Sequence, residues 1–237
     1  MLNYMKRSDY KVVGHLGFRK GSKGLSGKNE KFFFGKPLFQ WSLDQLVGSE
    51  IINDFMVSTD SQNGYKISLD YGSKDIGIRD SSLSNDTASK FDVWRESYNT
   101  FKERYYDFDI MIDIDCTCPM RSLEDISNGY NTFIASSADL VLGITDAKKN
   151  PYFNLLEESS SGYLTVSKGD GVQFTRQGAP KVFEHVSSVY VMDTSIFKKY
   201  KKLYDANIKG FHIPYERSID IDSEFDWKLN TFLMNEQ

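Results

Sequence analysis

Between residues 18 and 29 the chain reads FRKGSKGLSGKN, which sets Arg19, Lys20, Lys23 and Lys28 among Gly21, Gly24 and Gly27, with Ser22 and Ser26 and no acid. Glycines let backbone N–H groups approach an anion, and the cations neutralise it. Such a loop suits phosphate; the competing reading is a solvated turn. A second stretch, ERSIDIDSEFDW at 216–227, sets Asp220 and Asp222 on either side of Ile221. On an extended strand two such carboxylates project to one face. That pair suits Mg²⁺, which keeps waters and takes further oxygens from substrate phosphates; the alternative is an exposed strand edge with its acids outward. A third stretch, IRDSSLSNDTASK at 78–90, offers Arg79, Asp86, Thr87, Ser89 and Lys90 as donors and acceptors, or else is an ordinary loop and helix cap.

Other chemistries are poorly served. A Walker A loop needs glycine where Ser22 stands and Ser or Thr where Asn29 stands, and no G-x-G-x-x-G fingerprint occurs. Cys116 and Cys118 in CTCP are too closely spaced for a zinc knuckle and have no second cysteine pair, so buried free thiols in a reducing compartment are expected. His15, His185 and His212 form no ligand motif. Lysines 198, 199, 201 and 202 read as a solvated face.

The elements that must position these residues alternate. Strands are expected at 11–16, at 51–60 ending in Ser58, Thr59 and Asp60, at the centre of 106–119, at 138–145 and at 187–193. In the third of these, Asp109, Asp113 and Asp115 alternate with Ile110, Ile112 and Ile114. Helices are expected at 37–47, opened by Pro37, and at 88–105, where Phe91, Trp94, Tyr98 and Phe101 form a core stripe. Two more are expected at 122–136, capped by Ser122 with Asp125 at N3, and over IFKKYKKLYD at 196–205. The alternation implies an α/β fold with a largely parallel sheet, whose ligands bind at the carboxyl ends of strands. Residues 146–186, with turn signals SSSG and KGDG, read as a hairpin-rich insertion and oligomerisation arm. The chain is therefore expected to divide into an extension at 1–10, a core of 11–145 and 187–237, and the insertion at 146–186.

With 237 residues and 40% hydrophobic content, the chain suits one large domain. A net charge of −4 disfavours nucleic acid as a partner, so the basic loop is a local concentration suited to a small anion. No apolar run is long enough to span a bilayer and MLNYMKRSDYK has no signal-peptide core, so no membrane association and a cytoplasmic location are expected.

Taken in order, the motifs resemble those of the CMP-nonulosonate synthetases, the cytidylyltransferases that activate sialic acid and its bacterial relatives. The family's A-R-x-G-S-K-G-x-x-x-K-N stands here as FRKGSKGLSGKN. It is followed by Gly35–Leu38 (GKPL), Ser58–Asp60 (STD), Asp86–Ser89 (DTAS), Thr117–Arg121 (T-x-P-x-R), Arg176–Pro180 (R-Q-x-x-P) and DID near the C-terminus. The resemblance covers about residues 11–233. It implies a three-layer, mostly parallel, Rossmann-like fold of the nucleotide-diphospho-sugar transferase kind, with a small β-rich dimerisation insertion. It also implies a homodimer that couples CTP to a nine-carbon 2-keto sugar acid. Arg19, Gly21, Ser22, Lys23, Lys28, Asn29, Arg79, Ala88 and Ser89 match CTP-binding positions; Asp220 and Asp222 match Mg²⁺ ligands. Asp115, Arg121, Lys149, Arg176 and Gln177 fall in sugar-binding segments.

Three departures stand out. Lys20 replaces a usual glycine and Ser26 a common proline. The sialic acid enzymes' L-Q-P-T-S-P-L-R reads IDCTCPMR, with Asp115 at the glutamine, and Lys90 follows DTAS where serine is frequent. These features, with NPYFNLLE and RQGAPK, are more similar to the legionaminic acid synthetases. The implied reaction is attack of the sugar's anomeric hydroxyl on the α-phosphorus of CTP, with Arg19, Lys23 and Lys28 on the triphosphate and Asp115 as a second metal ligand, a proton acceptor or a sugar contact. A CMP-Kdo synthetase and a non-catalytic nucleotide-binding paralogue are the rival readings.

Overall fold

A computed structural model describes residues 10–21, 24–85, 87–169, 175 and 177–236. A six-stranded sheet forms its centre, in the order β10-β6-β9-β5-β1-β4. Strands β1 (Val12–Phe18), β4 (Asp54–Thr59) and β5 (Ile110–Ile114) are mutually parallel, as are β6 (Leu140–Asp146) and β10 (Ile208–His212). Only β9 (Phe183–Asp193) runs against its neighbours, pairing antiparallel with β5 and β6.

Both faces of the sheet are covered, as the near-continuous apolar runs require. On one face, Leu43 and Leu46 of α1 (Leu38–Gly48) and Ile126, Tyr130 and Phe133 of α4 (Leu123–Ile134) pack on Ile110, Ile112 and Ile114. Ile67 of α2 (Gln62–Asp70) joins that face. On the other, the stripe Phe91, Trp94, Tyr98 and Phe101 of α3 (Lys90–Arg104) is wholly buried against Val13, Met111 and Tyr190. Burying each such side chain contributes about 1.5–3 kcal/mol before entropy is counted. Ser122 and Asp125 form a reciprocal capping box at α4, as their spacing predicts.

Several boundaries differ from the sequence expectations. β1 continues to Phe18, so the basic loop leaves directly from the strand's carboxyl end. A two-residue hairpin, β2 (Phe32–Phe33) with β3 (Lys36–Pro37), precedes α1 and turns at Phe34 and Gly35, both with positive φ. The helix expected at 196–205 is one turn, α5 (Ile196–Lys199), followed by a 3-10 turn at Leu203–Asp205. β9 begins at Phe183, opposite Asp146, so the core sheet reaches into the expected insertion. That insertion carries one described hairpin, β7 (Leu156–Glu158) with β8 (Leu164–Val166), turning through SSSG. The Asp220-Ile221-Asp222 segment is not a strand: it is irregular chain between a 3-10 turn at Tyr215–Arg217 and the last helix, α6 (Glu224–Asn235). Alternation of acid and isoleucine looks the same in either setting.

Candidate active site

A cleft of about 430 Å³ opens where β1 and β5 end. Its first wall is the basic loop. Asn29 is buried and ties the loop's ends together: its Nδ2 donates to Arg19 O at 2.9 Å, and its Oδ1 accepts from Cys116 Sγ at 3.2 Å. Lys20 N donates to Asp60 Oδ1 at 2.7 Å, which joins the loop to the STD segment after β4. Gly27 takes φ 64°, a left-handed conformation that favours glycine. Arg19, Gly21, Gly24, Lys28 and Asn29 all line the cleft. Ser22 and Lys23 lie outside the described residues, as does Asp86.

The second wall comes from the far end of the chain. Lys28 Nζ donates to Ile221 O at 2.7 Å and to Asp222 Oδ1 at 2.5 Å. A Cβ added at Gly24 would lie 2.2 Å from Asp222 O, so only glycine allows this approach. Ile221 is buried with Leu25, Phe33 and Leu38, which anchors the two aspartates against the loop. Its N–H donates to Thr117 O at 2.9 Å. Asp222 is exposed, whereas burial pushes the Asp220 carboxyl up to about 6; Thr117 and Lys28 pull it down and Asp222 and Asp115 push it further up. Asp220 Oδ1 is buried with no hydrogen-bond partner among the described residues. An orphaned buried carboxylate oxygen beside a second, accessible carboxylate is a donor set that fits a hard divalent cation.

Arg79 and Ala88 form the third wall. Arg79 Nη2 donates to Phe18 O at 2.8 Å and Nε to Ser84 Oγ at 3.1 Å, while Ala88 N donates to Asn85 Oδ1 at 2.9 Å. Ser89 is committed elsewhere: its hydroxyl caps α3, accepting from Asp92 N at 3.1 Å and donating to Asp92 Oδ2 at 2.6 Å. Its side chain is thus a helix cap and not a cleft group.

The floor holds charges that the sequence did not flag together. Lys90 Nζ lies 2.5 Å from Asp115 Oδ2 and 3.0 Å from Asp113 Oδ2. It also sits 4.4 Å from the Tyr190 ring centroid and 5.4 Å from that of Trp94. Asp113 Oδ1 is 2.5 Å from His15 Nδ1, and His15 Nε2 is 3.1 Å from Ser97 Oγ. Burial pushes the Asp113 carboxyl up, but Lys90 and His15 more than reverse this and hold it low. At Asp115 burial wins over Lys90, and the carboxyl stands above its ordinary range. The available signal was one histidine and one aspartate inside apolar strands; β1 and β5 set His15 opposite Asp113.

Of the expected sugar-binding residues, Asp115 lines this cleft, whereas Arg121, Lys149 and Gln177 do not. Arg121 is 2% exposed, and its guanidinium is consumed by Asp115 O, Ser188 O, Ser42 Oγ and Gln45 Oε1 at 2.5–3.0 Å. It is a buried clamp beneath Asp115, which corrects the expectation of a sugar contact. Lys149 lines a separate groove of about 320 Å³ with Asn150, Pro180 and Lys181. Gln177 is exposed in the insertion, and Arg176 lies outside the described residues.

Comparisons with known proteins bear on this cleft. Residues 18–225 match the family described as Cytidylyltransferase. The chain is 31% identical over 220 residues to the post-translational flagellin modification protein B of Campylobacter coli, covering 92% of this chain and 93% of that protein. It is 29% identical over 218 residues to the CMP-N,N'-diacetyllegionaminic acid synthase of Campylobacter jejuni, covering 92% of each. Among solved structures, a CMP:2-keto-3-deoxy-manno-octonic acid synthetase complexed with CTP superposes with a TM-score of 0.68 at 17% identity, covering 95% of this chain and 99% of that one, and so shares the fold. The basic loop, the cleft at the strand ends and the match across most of its length place this chain in the cytidylyltransferase family.

Proposed function

We propose that this enzyme transfers the cytidylyl group of CTP to the anomeric hydroxyl of a nine-carbon 2-keto sugar acid and releases pyrophosphate. The observation that carries this reading is the meeting of Lys28 with Asp222 in one cleft, since it sets a phosphate-neutralising loop beside a pair of carboxylates. Relatives named for legionaminic acid support that acid or a close sialic acid relative as the substrate. The Asp115 and Lys90 departures in the sequence point the same way.

Arg19 and Lys28, with Lys23, hold the triphosphate; Asn29 keeps the loop closed, and Arg79 with the backbone at Ala88 faces the cytidine. Asp220 and Asp222 would hold Mg²⁺, which supplies charge neutralisation at the phosphate oxygens. Positioning and charge neutralisation account for most of the rate. Lys149, Arg176 and Gln177 belong to the insertion, which we read as a dimerisation arm. Exposed Leu156, Tyr163, Leu164 and Val166 on its hairpin support a homodimer. Two buried free thiols fit a reducing, cytoplasmic setting.

Pyrophosphate release with CTP and Mg²⁺ tests the reading against N-acetylneuraminic acid, N,N'-diacetyllegionaminic acid, pseudaminic acid and Kdo. Release with a nine-carbon acid is expected. Release with Kdo alone would make the chain a CMP-Kdo synthetase, and CTP binding with no release from any acid would favour a non-catalytic paralogue.

A further inference from the structure

We propose that Asp115 takes up the proton of the attacking sugar hydroxyl, and that Lys90, Asp113 and His15 are the positioning residues that hold it for that step; this rests on the cytidylyl-transfer reading above. Among the described residues, three carboxylates line the cleft: Asp113, Asp115 and Asp222. Asp113 is wholly buried, with its oxygens set against His15 and Lys90. Asp222 is mostly exposed and meets Lys28. Asp115 differs from both. Its side chain is 18% exposed, and Oδ2 is pinned by Lys90 while Oδ1 has no hydrogen-bond partner among the described residues. One oxygen fixes the carboxylate and the other is available to accept.

Its position is fixed from three directions. The Asp115 backbone N–H donates to Ser188 O at 3.1 Å, and its carbonyl accepts from Arg121 Nη1 at 2.8 Å and Ser42 Oγ at 3.1 Å. Lys90 is fixed in turn by Asp113 and by the faces of Tyr190 and Trp94, and Asp113 by His15. An ammonium held this way stays with its carboxylates and does not swing towards phosphate. A general base needs a fixed, ionised and partly desolvated carboxylate within reach of the hydroxyl. Burial makes Asp115 more basic than an exposed aspartate, and Lys90 opposes that rise by favouring the carboxylate.

The step balances within the two substrates and Asp115. The hydroxyl oxygen forms a bond to the α-phosphorus. The bond from that phosphorus to the bridging oxygen breaks, and its electron pair leaves on pyrophosphate. The hydroxyl proton passes to Asp115 Oδ1 and then to solvent through the cleft.

The test compares wild type, Asp115→Asn, Lys90→Met and Lys90→Arg in single-turnover pyrophosphate release at saturating CTP and sugar acid, with CTP Kd from calorimetry. Asp115→Asn is expected to slow the step at least about 100-fold, the usual span of general-base catalysis, while CTP Kd stays within about threefold. Lys90→Met should slow it likewise, and Lys90→Arg should recover about tenfold, since it restores the cation. An Asp115→Asn enzyme with the wild-type saturating rate and a raised KM for the sugar acid would make Asp115 a sugar contact only and overturn the proposal. Variants that lose thermal stability but keep the saturating rate would make the cluster structural and overturn it as well. Should Lys90→Met fail to fold, Asp115→Asn decides alone, since it keeps the side-chain shape. A wild-type enzyme that turns over no sugar acid would sink the transfer reading instead.

Discussion

The Lys28 ammonium lies 2.5 Å from Asp222 Oδ1, joining residues 194 positions apart across the mouth of the cleft. The contact makes one site of two motifs that the chain carries at opposite ends. Lys28 is largely buried against an exposed Asp222, which leaves the carboxylate open to another cation and the ammonium close to any anion that enters. Lys28→Met should therefore weaken CTP and slow turnover together, by about 10²–10³ in kcat, as for loss of a single preorganised donor. Isothermal titration with CTP and steady-state pyrophosphate release check this. Unchanged CTP affinity would remove the loop from the phosphate site.

Gly24 reports on the same junction by shape alone. A methyl group there collides with the Asp222 carbonyl, whereas one at Gly21 meets nothing within 4 Å. Gly24→Ala should shift the Asp222 segment and cost about 1–3 kcal/mol, as overpacking does. Gly21→Ala should leave the melting temperature within a degree or so, because a less flexible unfolded chain offsets any small strain. Thermal melts of the two variants separate a sterically required glycine from one that borders open space.

Much of this was legible in the sequence because periodicity and capping are local. The α3 stripe and the Ser122/Asp125 box followed from spacing, and the strand-end rim followed from the α/β alternation. What escaped is what depends on pairing between distant strands. His15 meets Asp113 only through the β1/β5 register, and Lys90 meets both aspartates only because α3 packs across that face. The contacts of Ser89 and Arg121 escaped for a related reason. A motif fixes where a side chain stands in the chain, but local geometry decides whether it caps a helix, clamps a carbonyl or faces a ligand.

Cys116 and Cys118 should be silent towards thiol reagents. Both are buried and free, and burial pushes the Cys116 thiol up to about 12, with Asp115 adding to the rise. Native protein at pH 8 is expected to resist iodoacetamide, with both thiols modified once denaturant is added. The sign of the linkage follows. The folded state keeps the Cys116 proton while the unfolded chain loses it near pH 8.5, so the stability contributed is full below about 8.5 and falls by about 1.4 kcal/mol per pH unit as pH rises towards 12. Denaturant midpoints measured from pH 8 to pH 10 for wild type and Cys116→Ala should converge as pH rises. Rapid alkylation of the native protein at pH 8 would contradict the burial.

Arg121 distinguishes a clamp from a ligand most directly. Its guanidinium donates to the carbonyls of Asp115 and Ser188, so it joins the chain after β5 to β9, and Ser42 and Gln45 attach the same group to α1. Arg121→Met keeps much of the volume but removes every hydrogen bond the guanidinium donates; Gln45 Oε1 is left without a donor, while the Asp115 and Ser188 carbonyls keep one each, from Ser42 Oγ and Asp115 N. A hydrogen bond to a charged group contributes about 1.5–3 kcal/mol, so the variant should lose several kcal/mol and melt many degrees lower. Arg121→Lys should recover only part, because an ammonium cannot span four acceptors in one plane. A sugar-binding arginine predicts the opposite pattern, with a raised KM for the sugar acid and an unchanged melting temperature. Measuring both quantities on Arg121→Lys at a temperature where it is folded decides between them: lowered stability with an ordinary KM assigns Arg121 to holding Asp115 in place.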